Sequence, residues 1–332
     1  MHSVERGTSG ATPKVSVVIP LRKLNAYVRE SLSHLARQTY RNFDVYVITD
    51  EPETIAYEGI DVRCLSSGAV PPNYKRKMAA EQSDAGIVAL LDDDAYPVPE
   101  WLERAVAHFA DPAVIAVGGP GVTPPDDSPS QQVSGAVYAS PLVSAGYVYR
   151  YLPRDARDVD DYPSCNLLVR REPFVKHVGE CLRYWPGEDT KLCMLLTRVE
   201  AKRIVYEPAA IVFHHRRALF WGHFKQVWNY AVHRGFFAKR YPDTSLRPQY
   251  FVPSTFVVAG ALAVPAFAFL PAARGAVGAT AALYAALVGA SAMRAEAGAR
   301  GRRGLVALGI SLTHVTYGVG FLRGLLCREL DH

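Results

Sequence analysis

The chain has 332 residues, enough for one or two domains with a substantial hydrophobic core. Its net charge of +5 suits an anionic membrane surface or an anionic substrate. No stripe of Lys and Arg interleaved with aromatic residues is present, so nucleic-acid binding is not expected. The five cysteines are scattered and contain no CxxC pair, which favours reduced thiols and supports neither a disulfide framework nor a zinc site.

The first half of the chain alternates between apolar runs and amphipathic segments. Residues 1–13 are polar and are predicted to form a flexible tail. Strands are then predicted at 14–20, 43–49, 61–65, 87–91 and 114–117, and helices at 26–38, 73–83 and 101–109. This alternation predicts an α/β domain with a doubly wound, mostly parallel, Rossmann-like sheet.

The middle of the chain is less regular. Residues 118–134 are rich in Gly, Pro, Asp and Ser and are predicted to be a loop. Strands are predicted at 162–170, 203–206 and 211–213, a short helix at 172–178, and a longer helix that follows residues 187–189 and runs through 198.

Three adjacent carboxylates follow the apolar strand at 87–91. Asp92, Asp93 and Asp94 repel one another unless a cation lies among them. Ligands of open α/β sheets bind outside the carboxyl ends of the strands. These residues predict a divalent metal that holds a phosphorylated substrate. The alternative is an acidic loop that only solvates the end of a strand.

The last third of the chain has the composition of a membrane-associated region. Residues 218–241 are amphipathic and rich in aromatic residues, with four Lys and Arg among them, which indicates interfacial helices within 218–252. Apolar runs follow at about 255–270, 275–293 and 305–326. The first run is slightly shorter than the roughly 20 residues that cross a bilayer, so the first two predict either a spanning hairpin or a re-entrant pair. A buried helical subdomain is the alternative.

Charge predicts which side of the membrane the soluble part occupies. The loop at 294–303 carries several arginines, and the positive-inside rule places it in the cytoplasm with the soluble domain. The predicted division is therefore a catalytic domain at 14–217, interfacial helices at 218–252, and a membrane domain of two or three helices at 253–332.

Several segments occur in an order that is typical of one enzyme family. They are residues 15–20 (VSVVIP), 38–40 (QTY), Asp50, Lys75-Arg76, the Asp triplet, Gly187-Glu188-Asp189 and His214-His215. Over residues 14–241 the chain resembles bacterial family 2 glycosyltransferases of the GT-A fold with a membrane-embedded C-terminus. Residues 226–230 (QVWNY) lack the Q-x-x-R-W signature of processive relatives, which argues against polymer synthesis.

The resemblance implies roles for the predicted site residues. Asp94 and His214 would bind Mg²⁺ or Mn²⁺, although a basic surface turn is the alternative for His214. Asp92 and Asp93 would contact ribose or sugar hydroxyls. The other residues expected to bind the donor are Pro20, Asp50 near the base ring, and Arg76 near the diphosphate. For Lys75, Arg76 and Lys77 the alternative is a solvated helix end.

The acidic pair is expected to do the proton chemistry. Attack by a sugar hydroxyl needs its proton removed, and the resemblance assigns this task to Asp189 with Glu188 beside it. Capping of a helix N-terminus is the alternative for both. Trp185 is expected to stack on an acceptor sugar or else to belong to the core. Arg234 is assigned to the acceptor or diphosphate side.

The sequence therefore predicts an inverting, metal-dependent glycosyltransferase at the cytoplasmic face of the inner membrane. It would move a sugar from a nucleotide-diphosphate donor, with UDP-sugars favoured, to a hydroxyl of a lipid-linked or cell-envelope glycan. Membrane lipid is the other expected partner. Two alternatives remain open: a polyprenyl-phosphate glycosyltransferase, and a membrane transport or channel component whose soluble domain binds a nucleotide-sugar.

Overall fold

A computed structural model describes residues 12–295 and 297–330, so most of the predicted tail at 1–13 lies outside the described residues. The strands are β1 (Val15–Pro20), β2 (Phe43–Thr49), β3 (Val62–Ser66), β4 (Ile87–Leu91), β5 (Ala95–Pro97), β6 (Val114–Gly118), β7 (Gly121–Val122), β8 (Arg157–Val159), β9 (Asn166–Arg170), β10 (Arg203–Tyr206) and β11 (Val212–His214).

The helices before residue 218 are α1 (Ala26–Leu35), α2 (Pro72–Gln82), α3 (Trp101–Ala107), α4 (Pro129–Ala139), α5 (Pro141–Ser144), α6 (Arg171–Cys181) and α7 (Glu188–Met194). The remaining helices are α8 (Trp221–Arg240), α9 (Pro242–Ser245), α10 (Pro248–Phe269), α11 (Arg274–Met293) and α12 (Arg303–Leu326).

The central sheet has eight strands in the order β3-β2-β1-β4-β9-β6-β10-β8. Strands β1, β4 and β6 are buried throughout, because helices cover both faces of the sheet. On one face Val17 and Ile19 pack with Leu32 of α1, and on the other Val18 packs with Phe174 of α6. The predicted α/β fold with a mostly parallel sheet is therefore confirmed.

One central strand runs against the others. Strand β9 is antiparallel to both β4 and β6, so Asn166 at its beginning lies beside Leu91 at the end of β4. The residues that precede β9 consequently lie at the same edge of the sheet as the Asp triplet.

The prediction of a loop at 118–134 is wrong in part. Strand β7 lies within it, and α4 begins at Pro129, where the Ser128 backbone N–H donates to Gln131 Oε1 at 3.1 Å. Val133 of α4 packs against Val306 of α12. The helix is thus stabilised by a partner more than 150 residues away, which local composition does not reveal.

The three predicted apolar helices are present and are long and apolar enough to cross a membrane. The first begins at Pro248, earlier than the apolar run indicates, because two turns that include Gln249 and Ser254 precede the wholly apolar or small residues. Its 22 residues make it about 33 Å long, more than the roughly 30 Å of a bilayer core. The predicted domain boundaries at 217 and 252 remain predictions.

Candidate active site

The ends of β1, β2 and β4 open into a cavity of about 1280 Å³ between the sheet, α7, α8 and the first turn of α10. Each residue that the sequence predicts for the site lines this cavity: Pro20, Asp50, Arg76, Asp92, Asp93, Asp94, Trp185, Glu188, Asp189, His214 and Arg234. The structure therefore brings the whole predicted set together.

A small sheet of β5, β11 and β7 brings His214 to the Asp triplet. Strand β11 pairs antiparallel with β5, which places His214 beside Ala95 and next to Asp94. The His214 Nε2 atom is 3.0 Å from Asp94 Oδ1. Asp92, Asp94 and His214 each offer a ligand atom, and these atoms lie within 4.8 Å of one another.

The electrostatics of Asp94 and His214 favour the charged form of each. Burial by itself would raise the pKa of Asp94, but the His214 imidazolium and Arg217 outweigh burial and hold that pKa at about 2. Arg217 Nη2 is 3.1 Å from Asp94 Oδ2. Burial would lower the pKa of His214, but the Asp94 carboxylate outweighs it and raises the pKa to about 10. His214 is thus paired with an acid inside the cavity and is not part of a basic surface turn.

The start of α2 faces the cavity, not solvent. Lys75 and Arg76 are buried, with side chains 2 % and 5 % exposed. Lys75 Nζ contacts the Asp50 carboxylate, and the Asp93 carboxylate accepts a hydrogen bond from Asn25 Nδ2 at 2.8 Å. The alternative interpretation, in which Lys75 and Arg76 lie at a solvated helix end, is therefore wrong for these two residues.

Arg76 joins the two groups of acids. Its Nη2 is 2.7 Å from Asp92 Oδ1, and its Nη1 is 3.1 Å from Glu188 Oε1. One planar guanidinium therefore contacts both the Asp triplet and the acidic pair.

The acidic pair lies at the start of α7, with Glu188 buried and Asp189 half-buried. Burial raises the pKa of both carboxyl groups. The neighbouring Asp189 raises the pKa of Glu188 further, and the neighbouring Asp161 raises the pKa of Asp189 further. The Gly187 N–H donates to Glu188 Oε2 at 3.0 Å, and the Thr190 N–H donates to Asp189 Oδ1 at 2.7 Å. Each acid thus accepts a local backbone hydrogen bond and also faces the cavity.

Trp185 and Arg234 occupy another wall of the cavity. Trp185 is 49 % exposed, which excludes the alternative of a core tryptophan. Arg234 lies on α8, and its Nη1 is 3.1 Å from the buried Asp161 Oδ2.

Sequence reasoning missed Asp161 and Arg150. Asp161 accepts from Thr190 Oγ1 at 3.0 Å and pairs with Arg150 Nη2 at 3.4 Å as well as with Arg234. Burial would raise its pKa, but the two arginines outweigh burial and hold it at about 2. The available signal was the pair Asp160-Asp161 ahead of a strand. A strictly parallel sheet would have put that pair at the wrong edge, and only the reversal of β9 brings it to the site.

We expect Asp161→Asn to lower the free energy of unfolding by about 3–5 kcal/mol, because it leaves two buried guanidinium groups without their carboxylate. Chemical denaturation followed by circular dichroism measures the change. Asp158→Asn is the matched control: Asp158 pairs with Arg203 at 2.9 Å, but both side chains are more than half exposed. This control should leave stability almost unchanged, and an equal loss in the two variants would contradict the expectation.

Comparisons with known proteins show which proteins this chain is similar to. The family model described as Glycosyl transferase family 2 matches residues 16–178. The pre-mycofactocin glycosyltransferase of Mycobacterium tuberculosis is 27 % identical over 250 residues, which cover 69 % of this chain and 48 % of that protein. The glucosyl-dolichyl phosphate glucuronosyltransferase of Haloferax volcanii is 23 % identical over 244 residues, covering 65 % of this chain and 74 % of that protein. The chain thus spans about half the length of the mycobacterial relative.

A solved structure shares the fold. The mannosyltransferase of Pyrobaculum calidifontis, in complex with GDP-Man and Mn²⁺, superposes with a TM-score of 0.56 and 19 % identity, covering 90 % of this chain and 87 % of that one. At this identity the likeness concerns the GT-A fold alone. Taken with the family match over residues 16–178, it indicates that the chain contains a glycosyl transferase family 2 domain of GT-A fold.

Proposed function

We propose that the protein is an inverting, metal-dependent glycosyltransferase that moves a sugar from a nucleotide-diphosphate donor to an acceptor hydroxyl. The observation that carries this proposal is the double contact of Arg76, which holds the Asp triplet and the acidic pair in one cavity. The groups that bind the donor and the groups that activate the acceptor need to be this close, because the sugar moves directly from the donor oxygen to the acceptor oxygen.

The donor set fits a hard divalent cation. Two carboxylates and an imidazole with ligand atoms within 4.8 Å of one another match the preferences of Mn²⁺, and the carboxylates also suit Mg²⁺. Asp92, Asp94 and His214 would hold the ion, which would stabilise negative charge on the leaving diphosphate. Lys75, Arg76 and Arg217 add positive charge around the same space.

Asp189 is our candidate for the general base. A carboxylate in a partly dehydrated site, with its pKa raised above the ordinary value, accepts a proton more readily than a solvent-exposed one. Asp161, Arg150 and Arg234 lie next to it and are positioning residues in this proposal. Glu188 is held by Arg76 and is the second member of the pair.

This assignment makes a pH prediction. Because its pKa is raised, the Asp189 carboxyl keeps its proton up to a higher pH than an ordinary carboxyl does. The carboxylate, which is the form that acts as a base, is lost as the pH falls through that pKa. We therefore expect kcat/KM to decline with falling pH at a pH above the range in which an ordinary aspartate titrates. A pH profile of kcat/KM with saturating metal measures this, and a decline that begins only at the pKa of an ordinary aspartate, about 3.9, would contradict it.

The acceptor is proposed to be a lipid-linked or cell-envelope glycan at the cytoplasmic face of a membrane. Three helices are apolar enough to enter a bilayer, and residues of α10 and α12 line the same cavity as the site. The Haloferax relative is named for a lipid-linked sugar, which supports this class of acceptor.

A second candidate is a polyprenyl-phosphate glycosyltransferase, whose acceptor is a phosphate. It is favoured by Arg150, which lines the cavity and whose buried Nε has no hydrogen-bond partner. A phosphate is already anionic and needs no general base, so the acidic pair favours the hydroxyl acceptor.

One experiment tests both candidates. The purified full chain is incubated with radiolabelled UDP-, GDP- and dTDP-sugars, a lipid extract, and Mg²⁺, Mn²⁺ or EDTA. We expect a labelled lipid-linked glycan with one donor, in the presence of metal only. A labelled lipid monophosphate sugar would favour the second candidate, and transfer that persists in EDTA would overturn the metal assignment. Nucleotide binding without any transfer would favour a transport component.

A further inference from the structure

Helix α12 lies alongside α8 in the same direction over almost its whole length. Near its beginning Gly309 packs against Leu219, just ahead of α8, and further along Gly320 packs against Ala231. At its end Lys239 Nζ donates to the Cys327 carbonyl. Glycines let the two backbones approach closely, since a Cβ at Gly324 would overlap the Val232 carbonyl.

Helix α8 is a wall of the catalytic cavity and not a membrane-spanning helix. Lys225, Gln226, Asn229 and Arg234 line that cavity. If α12 crossed the bilayer, these residues would lie at the depth of the hydrocarbon core, where charged side chains are costly. Its 24 residues are about 36 Å long, so its ends would also lie in opposite headgroup layers.

Both ends of α12 instead contact helices outside the hairpin, α4 at the beginning and α8 at the end. At the first turn Val306 packs against Val133 of α4, and at the end lies the Lys239–Cys327 contact. Cationic side chains are exposed at both ends, with Arg300 and Arg302 before the helix and Arg323 and Arg328 at or beyond its last turn. Four arginines lie at 294–303 and two at 323–328, so arginines flank α12 at both of its ends.

The face of α12 that points away from α8 is apolar and exposed. Its residues follow helical spacing and form one stripe: Leu305, Leu308, Leu312, Val315, Val319 and Leu326. The stripe is therefore the face of α12 that is available to acyl chains.

Helices α10 and α11 behave differently. The part of this hairpin nearest its base rests on α12, where Ser254 Oγ donates to the Gly318 carbonyl at 3.0 Å and Val288 packs with Ile310. Phe256 and Tyr284 also contact His314 of α12. Between Ser254 and Val288 no residue is buried, and all of these residues are described. Beyond its base the hairpin therefore projects from the rest of the described structure.

We propose that α12 lies in the plane of the membrane surface with its stripe on the acyl chains, and that only the α10–α11 hairpin enters the bilayer. The segment after α12 then stays on the same side as the catalytic domain. The cavity, which Thr313 and Tyr317 of α12 help to line, opens at the lipid surface. This inference rests on the membrane association included in the proposed function.

Sidedness tests the inference directly. The full chain with a C-terminal epitope tag is expressed, and sealed inside-out and right-side-out vesicles are treated with protease. We expect the tag and the catalytic domain, detected with its own antibody, to be digested in the same vesicles and protected in the others. A tag protected where the catalytic domain is digested would mean that α12 crosses and would overturn the inference. Recovery of the chain in the soluble fraction would overturn membrane association itself.

The depth of α12 in the bilayer gives a second, independent measurement. Nitroxides are attached at Leu305→Cys, Leu312→Cys or Val319→Cys after serine replaces the partly exposed Cys64, Cys165 and Cys327. An in-plane helix should give all three positions nearly the same depth, about 5–10 Å below the headgroups. A crossing helix should spread them over about 20 Å. The matched control is Val264→Cys, which is 72 % exposed on α10 and should lie deeper than all three.

Discussion

Asp189→Asn is expected to lower kcat by about 10²–10⁴-fold while donor binding is retained, because the amide keeps the shape of the side chain but does not accept the acceptor proton. Asp189 faces the cavity beside Glu188, and Asp161, Arg150 and Arg234 surround it. The measurement is initial rate with saturating donor and metal, together with calorimetry of nucleotide binding.

The control for this variant is Glu180→Gln, an exposed acid at the end of α6 whose side chain does not line the cavity. It should transfer sugar at the rate of the parent protein. If Asp189→Asn kept full turnover while the donor still bound, the base would have to be another group, and the phosphate acceptor would become the better reading.

Asp94→Asn is expected to abolish the stimulation by divalent metal and to lower kcat by roughly 100-fold or more, equivalent to about 3 kcal/mol of lost charge stabilisation. The variant removes a carboxylate ligand and leaves His214 and Arg217 without their shared partner. Mn²⁺ binding followed by electron paramagnetic resonance provides a readout that does not depend on turnover.

Glu207→Gln is the matched control, because Glu207 forms a carboxylate–imidazole pair with His108 at 2.7 Å outside the cavity. It tests whether the loss of any such pair lowers activity through stability alone. Unchanged Mn²⁺ affinity in Asp94→Asn, with a folded protein by circular dichroism, would remove Asp94 from the metal site.

Much of the candidate site was predictable from local sequence. The strand at 43–49 was predicted with the bounds that the structure has, and the strand at 87–91 ends at the Asp triplet as expected. Such strands are recognisable because full burial on both faces demands a continuous apolar run. The positions of Lys75, Arg76, Glu188 and Asp189 followed from motif order, although their contacts did not.

Other features depended on residues far apart in the chain. Helix α4 forms in a segment of loop-like composition, because Val133 and Val137 pack against α12. Asp161 joins the site because β9 is reversed, and the direction of a short apolar strand leaves no mark in its own residues.

The amino-acid sequence alone determined that this protein has an α/β sheet with acids at its edge and apolar helices after it, since burial and charge repulsion act on neighbouring residues. The tertiary structure decided which acids and arginines share a pocket, and that α12 packs on the polar helix α8. Hydropathy measures only how apolar a helix is, whereas its position in a membrane also depends on what covers its other face.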